Sequence, residues 1–408
     1  MTDVDVVIVG AGAAGLAAAK TLRAAGREVR VLEAMDRIGG RSWTRSEDFG
    51  VPFDIGCAWL HAGDRNPFMS DAERLGWTTH MHNMGLDHLY FGSRKATADE
   101  LASVSAADAR VAQALAGGAA DDRLSSLLDQ GGAMRASATY AGPMDFGKDA
   151  DEISVEDFNA AADLYPDYFT REGFGALIAA WAADVPVNLN TVVTRIDWSG
   201  PDVEVETSRG TVRAQAAIVT VSTGVLAFED IRFTPALPVR HFEAAFDLPM
   251  GLLTKIPVEI HGGIPGINPF DDLLIERHAR HDLYFLCFPF NLPLMVGFVG
   301  GDFAWEIETV GKDAAVDFVT DRLVDIFGSV FRKRVGRSLM TNWGGERRTR
   351  GAYASARPGR AEARSILAEP VGERIWFAGE ALAGALMQTA GGARLSGESV
   401  ARDVLNTI

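Results

Sequence analysis

Lys255 is the one positive charge in "DLPMGLLTKIPVEI", residues 247–260, a stretch that otherwise reads as a buried strand. Taking a lysine out of water lowers its pKa by roughly 3 to 5 units, so holding the charge there would cost about 4 to 7 kcal/mol. An amine of that kind exchanges protons near neutral pH and stabilises negative charge beside it. A second set of residues points to a different chemistry. Gly10, Gly12 and Gly15 spell GxGxxG between an apolar run and an alanine-rich one, and Glu33 closes the next apolar run. Bare backbone at such a turn approaches a pyrophosphate at the positive end of a helix, and the acid accepts hydrogen bonds from a ribose diol. FAD and NAD both fit this unit.

The elements that must hold these groups follow from periodicity. "DVDVVIVGAGAAGLAAAKTLRAAGREVRVLEA" reads strand, glycine turn, helix stopped at Gly26, and second strand, the start of a parallel sheet. From Asp71 to Ala179 the pattern turns mainly helical, with heptad-like spacing in "LASVSAADARVAQALAG" and an N-cap at Ser154. Alternating strands broken at Gly200-Pro201 and Arg209-Gly210 form a β-meander. Strands are expected near 252–260 and 283–299, and a helix over 312–327. "LYFLCFPFNLPLMVGFVGG" contains Asn291 and two prolines, which makes it paired strands and not a bilayer span. No repeat or long linker separates these pieces. The expected fold is therefore α/β, a Rossmann-type dinucleotide domain (1–70, 180–235 and 345–408) interleaved with an α+β substrate domain (71–179 and 236–344).

The continuation decides which dinucleotide. "RIGGRSWT" (37–44), "DIGCAWLH" (54–61), "NWGGERRTRGAY" (342–353) and "IWFAGEALAG" with "QTAGGARLSGE" (375–398) resemble, in order, the motifs of the flavin-containing amine oxidase family, which includes monoamine and polyamine oxidases. The match spans the chain except for the helical insert. It implies bound FAD, held at Gly10, Gly12, Ala14 and Gly15 in the first turn and at Glu33 and Ala34 by the ribose. Gly40 and Arg41 belong by the pyrophosphate, Val193 at the adenine, and Gly56, Ala58 and Trp59 in a second glycine turn. Gly379 and Glu380 fall at the ribityl chain, and Thr389 and Ala390 at the flavin.

The resemblance also gives Lys255 a role, holding a water at flavin N5. It places Trp343 near the isoalloxazine and makes Tyr353 one wall of an aromatic cage for the amine. Trp59, His61, Tyr353 and Thr389 are the expected substrate contacts. Two positions depart from the pattern. Ala352 stands where monoamine oxidases carry the cysteine that links to the flavin, which implies non-covalent FAD. Thr389 replaces the second cage tyrosine. The implied reaction is oxidation of a primary or secondary amine to an imine, hydrolysis to an aldehyde or ketone, and reduction of O2 to H2O2. The alternatives are a flavin dehydrogenase or desaturase with another acceptor, an L-amino-acid oxidase with Arg65 or Arg171 on the carboxylate, and a non-enzymatic carrier of the same fold.

Charge restricts the partners. With 39 Lys and Arg against 55 Asp and Glu, a net charge of −16, the composition argues against sequence-independent binding to nucleic acid or to an anionic membrane, since both need a basic face. Two cysteines, Cys57 and Cys287, and an N-terminus without a signal pattern lead us to expect a reducing cytoplasm. His80, His82 and His88 in "HMHNMGLDH" lack the acidic or thiol partners of a metal site and are expected on a loop or helix surface.

Overall fold

The structure, a computed structural model, describes residues 2–117, 122–128, 133–276 and 281–408. Val4–Val9 forms the middle of an eight-stranded sheet, parallel to Val29–Leu32 on one side and to Gly210–Val219 on the other. From Val6 to Val9 this strand is apolar and buried on both faces, its alternate residues joining two separate parts of the core, as a covered parallel sheet requires. Ala13–Ala24 covers one face, and the last helix, Ala390–Leu405, packs along it. The two backbones approach closely at Gly397, where a Cβ would sit 2.0 Å from the Ala14 carbonyl oxygen. The meander Val193–Asp197, Val203–Thr207 and Gly210–Val219 extends the sheet, and Ile375–Phe377 returns to pair beside it.

A second sheet of seven strands carries Lys255. Leu253–Ile260 lies in it between Leu294–Gly300 and Val335–Ser338, and Lys255 pairs with Phe298. Leu283–Cys287 and Leu294–Gly300 are antiparallel neighbours, and a helix runs over Lys312–Phe327. Cys287 is buried in this sheet's core. We propose the two sets of segments named above as the domains. In support, every strand of the first sheet falls in one set and every strand of the second in the other. Met250–Gly251 and Tyr353–Ala354 pair across the two sets, so the chain crosses between them where Tyr353 lies.

Residues 71–179 are less helical than expected. Ala98–Ala116 is a helix opened by a Thr97–Glu100 capping box, and Ser154 caps Val155–Ala160 by accepting from the Asp157 N–H. The region also contains strands. Thr79–His82 pairs with Asp167–Thr170, while His88–Phe91 and Arg94–Lys95 complete the edge of the second sheet. These strands are two to four residues long, too short for a period-2 pattern to stand out. The histidines are corrected with them. His80 is exposed, but His82 and His88 are buried at 2% and 8% exposure, because tertiary pairing turns them inward.

Candidate active site

Among the described residues, both sets of segments line one cavity of about 1250 Å³. Of the residues that the resemblance assigns to FAD, to the substrate or to catalysis, all but Gly15 line it. Gly15 lies behind the wall, where a Cβ would come within 2.0 Å of the Gly10 carbonyl oxygen, so it lets the helix start against the strand. Gly10 has φ +104°, a backbone state natural only to glycine, whereas a Cβ on Gly12 would meet no atom within 4 Å and points into open space.

Glu33 hangs at the end of the second strand, buried. Its Oε2 accepts from the Ala11 N–H at 2.7 Å and its Oε1 from the Met35 N–H at 2.8 Å. Burial pushes its carboxyl above the usual range, while these N–H groups and Arg37 pull it down. The other end is organised by Arg41, whose Nη1 donates to Glu380 Oε1 at 2.9 Å and to the Ala352 carbonyl at 2.7 Å. Glu380 Oε2 is buried and has no hydrogen-bond partner. A buried carboxylate oxygen left unpaired at a cavity wall marks where a ligand hydroxyl belongs. Together, the open face at Gly12, the Ala13–Ala24 N-terminus, Glu33 and the orphaned Glu380 oxygen fit a dinucleotide with two polyol segments.

Lys255 does not reach solvent. Its Nζ donates to the Asp54 carbonyl at 2.9 Å and to the Gly56 carbonyl at 2.5 Å, between the rings of Phe53 and Phe298. Desolvation lowers its pKa to about 8, with the Asp54 carboxylate and Cys57 acting the other way. The same "DIGCAWLH" turn therefore anchors the lysine and forms the wall. Trp343 Nε1 donates to the Ile55 carbonyl in that turn at 3.1 Å. Tyr353 donates to the Met144 carbonyl at 3.0 Å. His61 Nδ1 lies 2.7 Å from Asp167 Oδ1, and its ring stacks on Trp59. The Thr389 side chain is largely occupied, capping the last helix at the Gly392 N–H and donating to the Leu386 carbonyl. Cys57 Sγ faces Ser42 Oγ, and burial pushes its thiol up to about 12.

Several cavity residues carried no sequence signal. Tyr140 and Asp145 lie at a single π-helical turn over Tyr140–Met144, a distortion that periodicity cannot reveal. The Asp145 carboxyl, open to the cavity but deep in the protein, is pushed up to about 7 by desolvation; Asp167 and Asp108 also raise it and His61 lowers it. Tyr284 and Phe298 come from the second sheet. Arg65 and Arg171 do not line the cavity. Among the described residues no group of three or more His, Cys, Asp or Glu could hold a metal ion, and no helix is long and apolar enough to cross a membrane.

Residues 13–135 and 113–405 match the family model for flavin containing amine oxidoreductases. The chain belongs to this family. It is 29% identical over 435 residues to the probable polyamine oxidase 4 of Arabidopsis thaliana, covering 98% of this chain and 86% of that protein. Its fold is similar to that of putrescine oxidase in a structure with bound putrescine (TM-score 0.80, 22% identity) and of cyclohexylamine oxidase from Brevibacterium oxydans (TM-score 0.79, 24% identity), with 99% of each chain covered. The protein is an FAD-dependent enzyme that oxidises amines.

Glu33→Gln is expected to weaken FAD retention. The amide sets an N–H₂ group against the Ala11 or Met35 N–H and removes a charged acceptor, a loss of about 1.5 to 3 kcal/mol, or roughly a 10- to 150-fold rise in Kd. Titration of the apoprotein with FAD checks it, and an unchanged Kd removes Glu33 from the ribose site.

Proposed function

We propose that the protein oxidises a primary or secondary amine to an imine, which water hydrolyses to an aldehyde or ketone, with O2 reduced to H2O2. Bound FAD supplies the two-electron acceptor. The observation that carries the reading is Lys255. A protonated amine has three donors, and two are held by the Asp54 and Gly56 carbonyls, which leaves one for a water in the cavity. Tyr353 and Trp343, fixed by their own hydrogen bonds, flank the reacting amine and keep bulk water out.

The other wall suits a cation. Asp108, Asp145, Asp163 and Asp167 line the same cavity. A substrate arrives as an ammonium but must react as a neutral amine, and a carboxyl near 7 such as Asp145 is matched to the proton it sheds. The two free cysteines agree with a reducing cytoplasm. A panel of monoamines, diamines and polyamines, followed by peroxide release and by anaerobic bleaching of the flavin, tests the reading. A flavin that no amine bleaches would defeat it.

FAD is expected to leave the polypeptide on denaturation. Ala352 has no sulfur to form a thioether, and Cys57, the one cysteine lining the cavity among the described residues, has a thiol pushed well above neutral pH. Acid precipitation should leave the yellow colour in the supernatant. Colour that stays with the pellet contradicts this.

A further inference from the structure

Two walls of the cavity, Trp59 and Tyr284, come from distant parts of the chain and converge on one buried carboxylate. Trp59 Nε1 lies 3.2 Å from His82 Nδ1. An indole nitrogen can only donate, so His82 Nδ1 must accept and the ring proton sits on Nε2. That proton faces Asp272 Oδ1 at 3.2 Å and the Phe270 carbonyl at 3.2 Å. Tyr284 donates its hydroxyl to the same Asp272 oxygen. Every donor and acceptor from Trp59 to Tyr284 is thereby fixed in direction. His82 and Asp272 are 2% and 1% exposed, so no water substitutes for either.

Neighbouring features hold the arrangement. Phe270 has φ +68°, rare for so bulky a residue, and this conformation accompanies the delivery of its carbonyl to His82. Asp272 begins the Asp272–Glu276 strand, and its N–H donates to Asp87 Oδ2. Burial and the Asp87 charge push its carboxyl up, while His82 and Tyr284 pull it down. The reach extends to the reaction centre, because Phe298, against which both Trp59 and Tyr284 pack, lies under the Lys255 ammonium.

We propose that Asp272 is a positioning residue that sets, through the His82 tautomer, the orientation of Trp59 and, directly, that of Tyr284, and so shapes the amine-binding arm of the cavity. Its role in amine binding rests on the function proposed above, whereas the tautomer and the indole hydrogen bond do not. Asp272→Asn keeps the shape but breaks the direction. If the amide donates to His82 Nε2, the ring proton moves to Nδ1 and opposes the Trp59 N–H. His82→Gln preserves an acceptor toward Trp59 and a donor toward Asp272, and His82→Leu preserves neither.

The test reads the holoenzyme twice. In ¹⁵N-tryptophan spectra without substrate, the Trp59 indole resonance, assigned by its loss in Trp59→Phe, should shift in Asp272→Asn and His82→Leu and stay near its place in His82→Gln. With the most active amine of the panel, the apparent KM should rise about 3- to 10-fold in the first two, the factor expected for one lost hydrogen bond. FAD content should hold, and Asp272→Asn should raise the apparent KM less in a Trp59→Phe background than in the wild type, the remainder being the part that acts through Tyr284. An indole signal that ignores Asp272→Asn, equal effects of His82→Gln and His82→Leu, or full additivity overturns the proposal. Should Asp272→Asn fail to fold, the Gln and Leu pair still decides it. If no amine is turned over, the function reading fails, and the indole shifts still judge the positioning.

Discussion

Lys255→Met is expected to leave FAD bound and to slow the reaction of the reduced holoenzyme with O2 by about 10- to 1000-fold, the size of a few kcal/mol of lost electrostatic stabilisation. Methionine fills the volume of the lysine stem at a buried position on the cavity wall. It also removes the donor from two buried carbonyls, Asp54 and Gly56, and an unsatisfied buried group costs about 1 to 3 kcal/mol. Against this, the desolvation cost of the ammonium disappears. Stability should therefore change modestly while reoxidation falls steeply. Stopped-flow separates the two half-reactions, and a variant reduced and reoxidised at wild-type rates shows that the amine is only a packing group.

The pKa near 8 adds a pH signature. Reoxidation that depends on the ammonium should fall as pH rises through about 8, and the step should vanish in Lys255→Met. The sign for stability is opposite. Between about 8 and the ordinary 10.5 the unfolded chain keeps this proton and the folded protein has lost it, so this group makes folding more favourable as pH rises through that window.

Legibility in the sequence followed the kind of interaction involved. The βαβ unit and the strand of Lys255 are written locally, in apolar period and glycine position, and the structure places them where that pattern predicts. Motif residues converge on one cavity, and at Gly10 and Gly15 the backbone itself requires the residue type the motif carries. Other features depend on partners far along the chain. Nothing in "HMHNMGLDH" reveals that His82 faces Trp59 and Asp272, and no periodicity marks the π turn that lays Asp145 on the wall. The fate of the lysine was also undecidable locally. A strand-edge lysine reaching solvent and a buried one have the same neighbours in sequence, and what distinguishes them is a pair of carbonyls about 200 residues away.

Asp157→Ala is expected to destabilise the protein by about 3 to 5 kcal/mol, the cost of stranding a buried charge. Asp157 is 1% exposed, and its carboxylate takes Arg364 Nε at 2.5 Å and Nη2 at 2.9 Å. The same guanidinium donates to the Ala354 carbonyl at 3.0 Å and the Ala381 carbonyl at 2.8 Å, and Asp157 Oδ2 accepts from the Ala356 N–H. One ion pair thus ties the Val155–Ala160 helix to the segments beside Tyr353 and Glu380. Because Ala354 N–H also donates to Glu380 Oε1, loosening the pair should lower FAD retention along with the unfolding midpoint. Asp157→Asn should cost less than Asp157→Ala, since one oxygen still meets the guanidinium. Removing both charges in Asp157→Leu/Arg364→Met should recover much of the midpoint, because no charge is then left buried alone. Denaturant midpoints of the holoenzyme, with flavin fluorescence following FAD release, measure both effects. If Asp157→Ala unfolds with the wild type, the pair is dispensable, and the tie between the insert and the cofactor end must lie elsewhere.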